Sequence, residues 1–261
     1  MVRYLLHISF QGTNYSGWQS QENSNTVQSE IDGRLSQLCA SSIQSIGCGR
    51  TDTGVHASNF YLHFDTEKEF KEEELTYKLN RMLPDDISVH STNAVNSTFH
   101  ARFDAFSRTY HFIISKQRNP FLRNLTWNYH LPLKVEAMHR TVQFLKEYED
   151  FSSFSKSNTQ VKTNFCKVME VAWKETPSFY IFTITANRFL RNMVRAIVGT
   201  SIQIGLEKLD SDGFRAIIEA KDRKRAFESV PGCGLYLTKV EYPITLLQNL
   251  NLIENPLPYF L

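Results

Sequence analysis

The order in which two hydrophobic periods alternate along the chain constrains its fold more than any other feature. Val2, Tyr4, Leu6, Ile8 and Phe10 recur at every second residue with Arg3, His7 and Ser9 among the residues between them, the period of a strand. Thr26 stands where a helix N-cap would stand, and Val27, Ile31, Leu35 and Leu38 follow on one helical face. Residues 43–48 suit a second strand, and Phe60, Leu62 and Phe64, alternating with Tyr61 and His63, a third. Residues 71–83 read as a helix that stops before Pro84, and residues 87–95 as a further strand. Strand, helix, strand, strand, helix, strand is the split βαβ order, which predicts an antiparallel sheet carrying two helices on one face.

The second half gives a comparable series. Residues 108–115 alternate as a strand, 134–147 read as a helix, and 162–174 with 179–186 as a strand pair around Pro177. A strongly apolar helix is expected over 188–205, a shorter one over 210–220, and a last strand over 235–240. No sequence repeat is visible, yet the element order predicts an α+β protein of two similar sheet-and-helix halves, and 261 residues suffice for two moderate domains. The expected boundaries are 1–105, 106–243 and a C-terminal extension over 244–261. A junction of two such halves is a preferred place for a ligand cleft.

Composition excludes several classes. No apolar run approaches the roughly 18–20 residues of a membrane span, and the first residues read as a strand, not as a secretory leader. Cys39, Cys48, Cys166 and Cys233 are scattered without a CxxC pair, so they read as reduced thiols of a cytoplasmic protein and no metal site is expected. Net charge is only +2, from 29 basic and 27 acidic residues, which leaves nucleic acid open because a basic patch on one face is what matters. Basic residues gather at Lys116, Arg118 and Arg123, and again at Lys221, Arg223, Lys224 and Arg225. No GxGxxG or GxxxxGK[ST] nucleotide-binding run and no HExxH zinc motif occurs.

The densest chemistry lies in Gly49-Arg50-Thr51-Asp52-Thr53-Gly54-Val55-His56-Ala57, between two predicted strands. Loops held between rigid elements are where functional groups concentrate, and an arginine near a carboxylate favours its charged form. The same residues also make an ordinary turn, with Asp bonding its own backbone and Gly supplying positive φ. Arg188, Arg191 and Arg195 would share one arc of the 188–205 helix, either as a solvated basic face or as ligands for carboxylate and phosphate. Tyr110 shares a strand face with Phe112 and Ile114, so it is either core or a stacking platform for a base.

Several segments together resemble the tRNA pseudouridine synthase A family. Besides the Asp52 segment they are Phe10-Gln11-Gly12-Thr13-Asn14-Tyr15-Ser16-Gly17-Trp18-Gln19, Phe99-His100-Ala101-Arg102-Phe103, Arg108-Thr109-Tyr110, the run from Asn187 to Arg195 with Ile197-Val198-Gly199, and Gly234-Leu235-Tyr236-Leu237. They occur in order over residues 3–243. Departures from the family pattern are Thr53 where alanine is common and Phe227 where glycine is common. The resemblance implies two ferredoxin-like halves around a central active-site cleft, a homodimer, no cofactor, and isomerisation of uridine in the tRNA anticodon stem-loop at positions 38, 39 and 40. It implies Asp52 as the catalytic carboxylate, Arg195 as its basic partner, Tyr110 as the residue packing on the target base, Arg50 as an RNA contact and Leu235 as a pocket wall; Arg188 and Arg191 are candidate phosphate contacts. Two alternatives remain at this point: an RNA-binding module in which Asp52 is a turn residue, and a nucleoside hydrolase that releases free base.

Overall fold

The computed structural model describes residues 1–156 and 163–247. The chain divides into two compact units, residues 1–106 together with the chain from Leu237 onward, and residues 107–236.

In the first unit, β1 (Val2–Phe10) pairs antiparallel with both β3 (His56–Thr66) and β4 (Ile87–Val95), and the short β2 (Ile46–Gly47) adds to β3. The strand order is therefore β4–β1–β3–β2. The register sets Tyr4 opposite Phe64, Leu6 opposite Leu62 and Ile8 opposite Phe60, which gathers the apolar residues on one face. Buried with them are Val27, Ile31 and Leu35 of α1 (Val27–Cys39) and Leu75 and Leu79 of α2 (Glu72–Met82). Thr26 caps α1 as expected, in a reciprocal pair with Ser29. Cys39 rather than Leu38 completes the buried stripe. The strand over 43–48 shrinks to two residues because α1 side chains take its amides: Ile43 N donates to Ser36 Oγ at 2.9 Å and Ser45 N to Asp32 Oδ1 at 3.0 Å.

The other face of β1 is covered too. Ala101 N donates to His63 Nδ1 at 3.1 Å, Arg3 Nη1 donates to Phe99 O at 2.7 Å, and Tyr242 packs edge-on to Tyr61 while its hydroxyl donates to Ala101 O. His7 and His63 are consequently buried, and burial pushes each pKa down to about 4.

In the second unit, β5 (Ser107–Ser115) pairs antiparallel with β8 (Phe179–Ala186), and β8 with β7 (Val168–Glu175). A two-residue strand that the sequence did not announce, β6 (Trp127–Asn128), joins β5 in parallel. The expected strand over 162–174 begins only at Val168, and Lys162 lies outside the described residues. Its first part pairs elsewhere: Phe151 N donates to Asn164 O and Cys166 N to Glu149 O. The expected helix over 134–147 is α3 (Val135–Val142), which tightens into a 3-10 turn over Gln143–Glu147. Helices α4 (Met193–Gly205) and α5 (Ser211–Glu219) follow, the latter capped by Asp210. Strand β9 (Leu235–Glu241) crosses the boundary between the units along the chain, and α6 (Ile244–Leu247) ends the described residues, so most of the expected extension over 244–261 lies outside them. The sheet-and-helix content makes this an α+β protein with mostly antiparallel pairing, the class the sequence predicts.

Candidate active site

Asp52 sits half-buried on the loop between β2 and β3, and the segment after β1 holds this loop through several backbone contacts. Trp18 N donates to Thr51 O at 3.2 Å, Gly54 N donates to Tyr15 O at 3.3 Å, and Val55 N closes a turn onto Asp52 O at 3.2 Å. Gly12 N donates to His56 Nδ1 at 3.0 Å, which leaves the proton of the neutral ring on Nε2. Two glycines make the approach possible. A Cβ on Gly12 would stand 2.0 Å from Val55 O; one on Gly17, where φ is +96°, would stand 2.3 Å from Thr51 O.

The clamp is anchored in turn. Tyr15 Oη donates to Asp86 Oδ1 at 2.5 Å, Asn14 Nδ2 to Asp86 Oδ2 at 3.0 Å, and Gln11 N to Asp86 O at 2.8 Å. At its other end, Gly17 O and Trp18 O accept from the first amides of α1, and the Trp18 ring lies 4.2 Å from that of Phe60. Ala57, the last residue of the motif, is pinned opposite Phe10 of β1. The carboxylate thus projects from a loop with little freedom, the arrangement a positioned catalytic group requires. Arg50 of the same loop is exposed. In the sequence the clamp segment shows as one of the runs that resemble the family, but which of its backbone groups hold the Asp52 loop is marked only by the pair of glycines around Tyr15.

The second unit carries the remaining candidates. The single helix expected over 188–205 begins only at Met193, because Asn192 takes the left-handed conformation at φ 68°. Arg188 and Arg191 therefore precede the helix and do not share an arc with Arg195, which corrects the sequence expectation. The asparagine tolerates this backbone; Met193 N turns back to Leu190 O at 3.1 Å, and Asn192 Nδ2 donates to Ser229 Oγ at 2.6 Å. Arg188 reaches Thr163 Oγ1 at 3.5 Å, and Arg191 is exposed.

Arg195 lies in the first turn of α4, where its Nε donates to Val230 O at 2.7 Å while its own carbonyl accepts from Val230 N at 3.2 Å. Anchoring through Nε fixes the direction of the guanidinium fork. Tyr110, in β5, is buried and meets Phe189 edge-to-face at 5.0 Å, so the turn bearing Arg188 packs beside it. Arg108 Nη1 donates to Asn187 O at 2.9 Å and ties the same turn to β5. Leu235 is buried at the start of β9. Tyr110, Arg188 and Arg195 thus belong to one connected part of the second unit, whereas Asp52 and Arg50 share a loop of the first.

All four cysteines are free thiols. Burial raises Cys166 to about 11 and also raises Cys233, which suits neither to act as a thiolate. Among the described residues, no group of three or more His, Cys, Asp or Glu side chains is placed to hold a metal ion, and no helix is long and apolar enough to cross a membrane.

The class of the protein follows from comparison with known proteins. The family model described as tRNA pseudouridine synthase matches residues 7–104 and 148–243. The chain is 46% identical over 244 residues to the tRNA pseudouridine synthase A of Parabacteroides distasonis, covering 93% of this chain and 97% of that one. It is 45% identical to the protein of that name from Bacteroides thetaiotaomicron, covering 93% and 91%, and 38% identical to that from Acetivibrio thermocellus, covering 91% and 98%. The chain belongs to the tRNA pseudouridine synthase family, isomerases that convert uridine to pseudouridine in tRNA.

Proposed function

We propose that this protein isomerises uridines of the tRNA anticodon stem-loop, at positions 38, 39 and 40, with Asp52 as the catalytic carboxylate. The observation that carries the reading is the backbone clamp on the Asp52 loop: a plain surface turn has no need of two tight glycine approaches and an anchored tyrosine. The relatives' shared name, tRNA pseudouridine synthase A, supports the substrate.

The reaction breaks the bond between the ribose and ring nitrogen N1, turns the base, and reattaches it through C5; the C5 hydrogen leaves as a proton and N1 takes one up, so the product is an isomer of the substrate. The target nucleotide first leaves its stack, at a cost of a few kcal/mol. Tyr110 packs on the flipped base and offsets part of that cost, since stacking on an aromatic ring contributes roughly 1–3 kcal/mol per base. Asp52 then acts on the nucleotide as nucleophile or base, and Arg195 pairs with it. Leu235 walls the apolar side of the pocket, which keeps the detached base from escaping. Arg50, Arg188 and Arg191 take phosphates of the RNA backbone. The family resemblance implies no cofactor, and the conversion of one isomer into another consumes no external oxidant or reductant.

The same reading makes residues 1–105 and 106–243 two ferredoxin-like halves, and the working protein a cytoplasmic homodimer. The strand order β4–β1–β3–β2 of the first unit supports the first of those two halves. Incubation of the purified protein with unmodified tRNA, followed by mapping of modified positions, tests it. Pseudouridine at 38–40 is expected; free uracil would make the protein a hydrolase, and unchanged RNA a binding module.

A further inference from the structure

The connection from β5 to β6 presents an aromatic ring to solvent. Phe121 is 87% exposed, which no packing role explains. Nor is it a side chain on a loose loop. Asn119 Oδ1 accepts from Phe121 N at 3.0 Å, Pro120 opens a 3-10 turn over Pro120–Leu122, Leu122 N donates to Asn119 O at 3.1 Å, and Thr126 N to Leu122 O at 3.2 Å. Tyr236 Oη donates to Leu125 O at 2.6 Å, tying the segment to the start of β9, where Leu235 also lies. The ring is therefore displayed from a built support, hydrogen-bonded at Leu125 to the residue that follows Leu235.

The segment that bears the ring carries one sign of charge. Residues 116–134 include Lys116, Arg118, Arg123 and Lys134 and no Asp or Glu. Lys116 is neutralised by Glu175 at 2.5 Å. Arg118 and Arg123 are exposed, and among the described residues neither guanidinium has a hydrogen-bond or ion-pair partner. An exposed aromatic between two uncommitted arginines matches an RNA strand: a π-face for one base and two forks for the phosphates on either side. A protein partner would be expected to cover the ring with apolar neighbours and to supply acids to the arginines.

We propose that Phe121 is a base-stacking platform for the tRNA substrate, with Arg118 and Arg123 gripping the flanking phosphates. This rests on tRNA being the substrate and adds a binding element to that site. It separates two energetic roles that one assay can resolve. Stacking is insensitive to salt, whereas each phosphate contact adds about 0.7–0.9 to the slope of log affinity against log salt.

Affinity is measured with an unmodified tRNA transcript at several potassium chloride concentrations. Phe121→Ala weakens binding by roughly 5- to 150-fold with the salt slope unchanged, and the loss appears in KM. Phe121→Trp restores binding, Phe121→Leu does not, and the melting temperature stays that of the parent because the ring supports no core. The double variant Arg118→Gln/Arg123→Gln makes the slope shallower by about 1.4–1.8. Tyr77→Ala, which removes an exposed aromatic from the acidic helix α2, leaves affinity unaltered. The proposal is overturned if Phe121→Ala binds tRNA like the parent, if leucine substitutes as well as tryptophan, or if the loss accompanies a change in oligomeric mass. Pseudouridine formation by the parent protein is scored separately. Its absence would sink the tRNA reading, whereas normal formation with an indifferent Phe121 would sink only this inference.

Discussion

Replacing Gly17 by alanine tests whether the segment after β1 holds the catalytic loop in register. Gly17 has φ +96°, a conformation that costs a residue with a side chain roughly 1–3 kcal/mol. The added Cβ would lie 2.3 Å from Thr51 O, where ordinary contact begins at 3.4 Å, so the 51–52 backbone would have to retreat by about 1.1 Å. That backbone carries Asp52 and accepts the Trp18 amide at 3.2 Å, a bond worth about 1 kcal/mol net. Together these terms lower stability by about 2–4 kcal/mol. Catalysis falls further than stability suggests, because a displacement of about 1 Å costs on the order of 100-fold in rate. The assay is tritium release from tRNA labelled at uridine C5, run beside a thermal melt and a tRNA-binding titration. The expected result is a protein that melts cooperatively, binds tRNA, and turns over about 100-fold more slowly. A folded Gly17→Ala protein with parental tritium release would refute the reasoning, since the clamp would then not position Asp52.

Two further outcomes concern stability. Gly33, exposed on α1 with open space for 4 Å around the place a Cβ would occupy, is the converse case: Gly33→Ala should stabilise by about 0.5–1 kcal/mol, read as a melting temperature higher by about 2–4 °C per kcal/mol, and a fall in melting temperature would contradict it. His7 is held neutral chiefly by burial, with the His90 ring adding to the effect and Asn59 only partly opposing it, and its pKa lies near 4 against 6.5 in the unfolded chain. Because the unfolded state takes the proton first, this contribution is intact above about pH 6.5 and is lost as pH falls toward 4, at about 1.4 kcal/mol per pH unit. Denaturant titrations between pH 6.5 and 5 should therefore show a shallower decline for His7→Leu than for the parent; equal slopes would count against a buried neutral imidazole.

Much of this architecture was legible from periodicity. The residues of β4 and β8 coincide with the runs read from the sequence, because there the alternation of side chains and the sheet pairing agree. Where the reading failed, a tertiary contact had taken the backbone groups. The amides of Ile43 and Ser45 went to side chains of α1, and residues 163–167 paired with 149–151 instead of extending β7. The start of α4 failed for a local reason, the left-handed Asn192, since helical spacing in Arg188, Arg191 and Arg195 says nothing about where winding begins. The Asp52 motif and the segment from Phe10 to Gln19 both stood out, but the contacts by which one clamps the other did not. Backbone-to-backbone contacts such as Trp18 to Thr51 leave no trace in side-chain chemistry beyond the glycines that permit them.

Asparagine at position 52 keeps the shape of the side chain and removes its charge, so Asp52→Asn addresses the chemistry alone. Tritium release from C5-labelled tRNA is the measurement. The account predicts release lowered by roughly 10⁴-fold or more, with tRNA still bound by the variant. Release from Asp52→Asn at close to the parental rate would contradict the assignment of this carboxylate to catalysis.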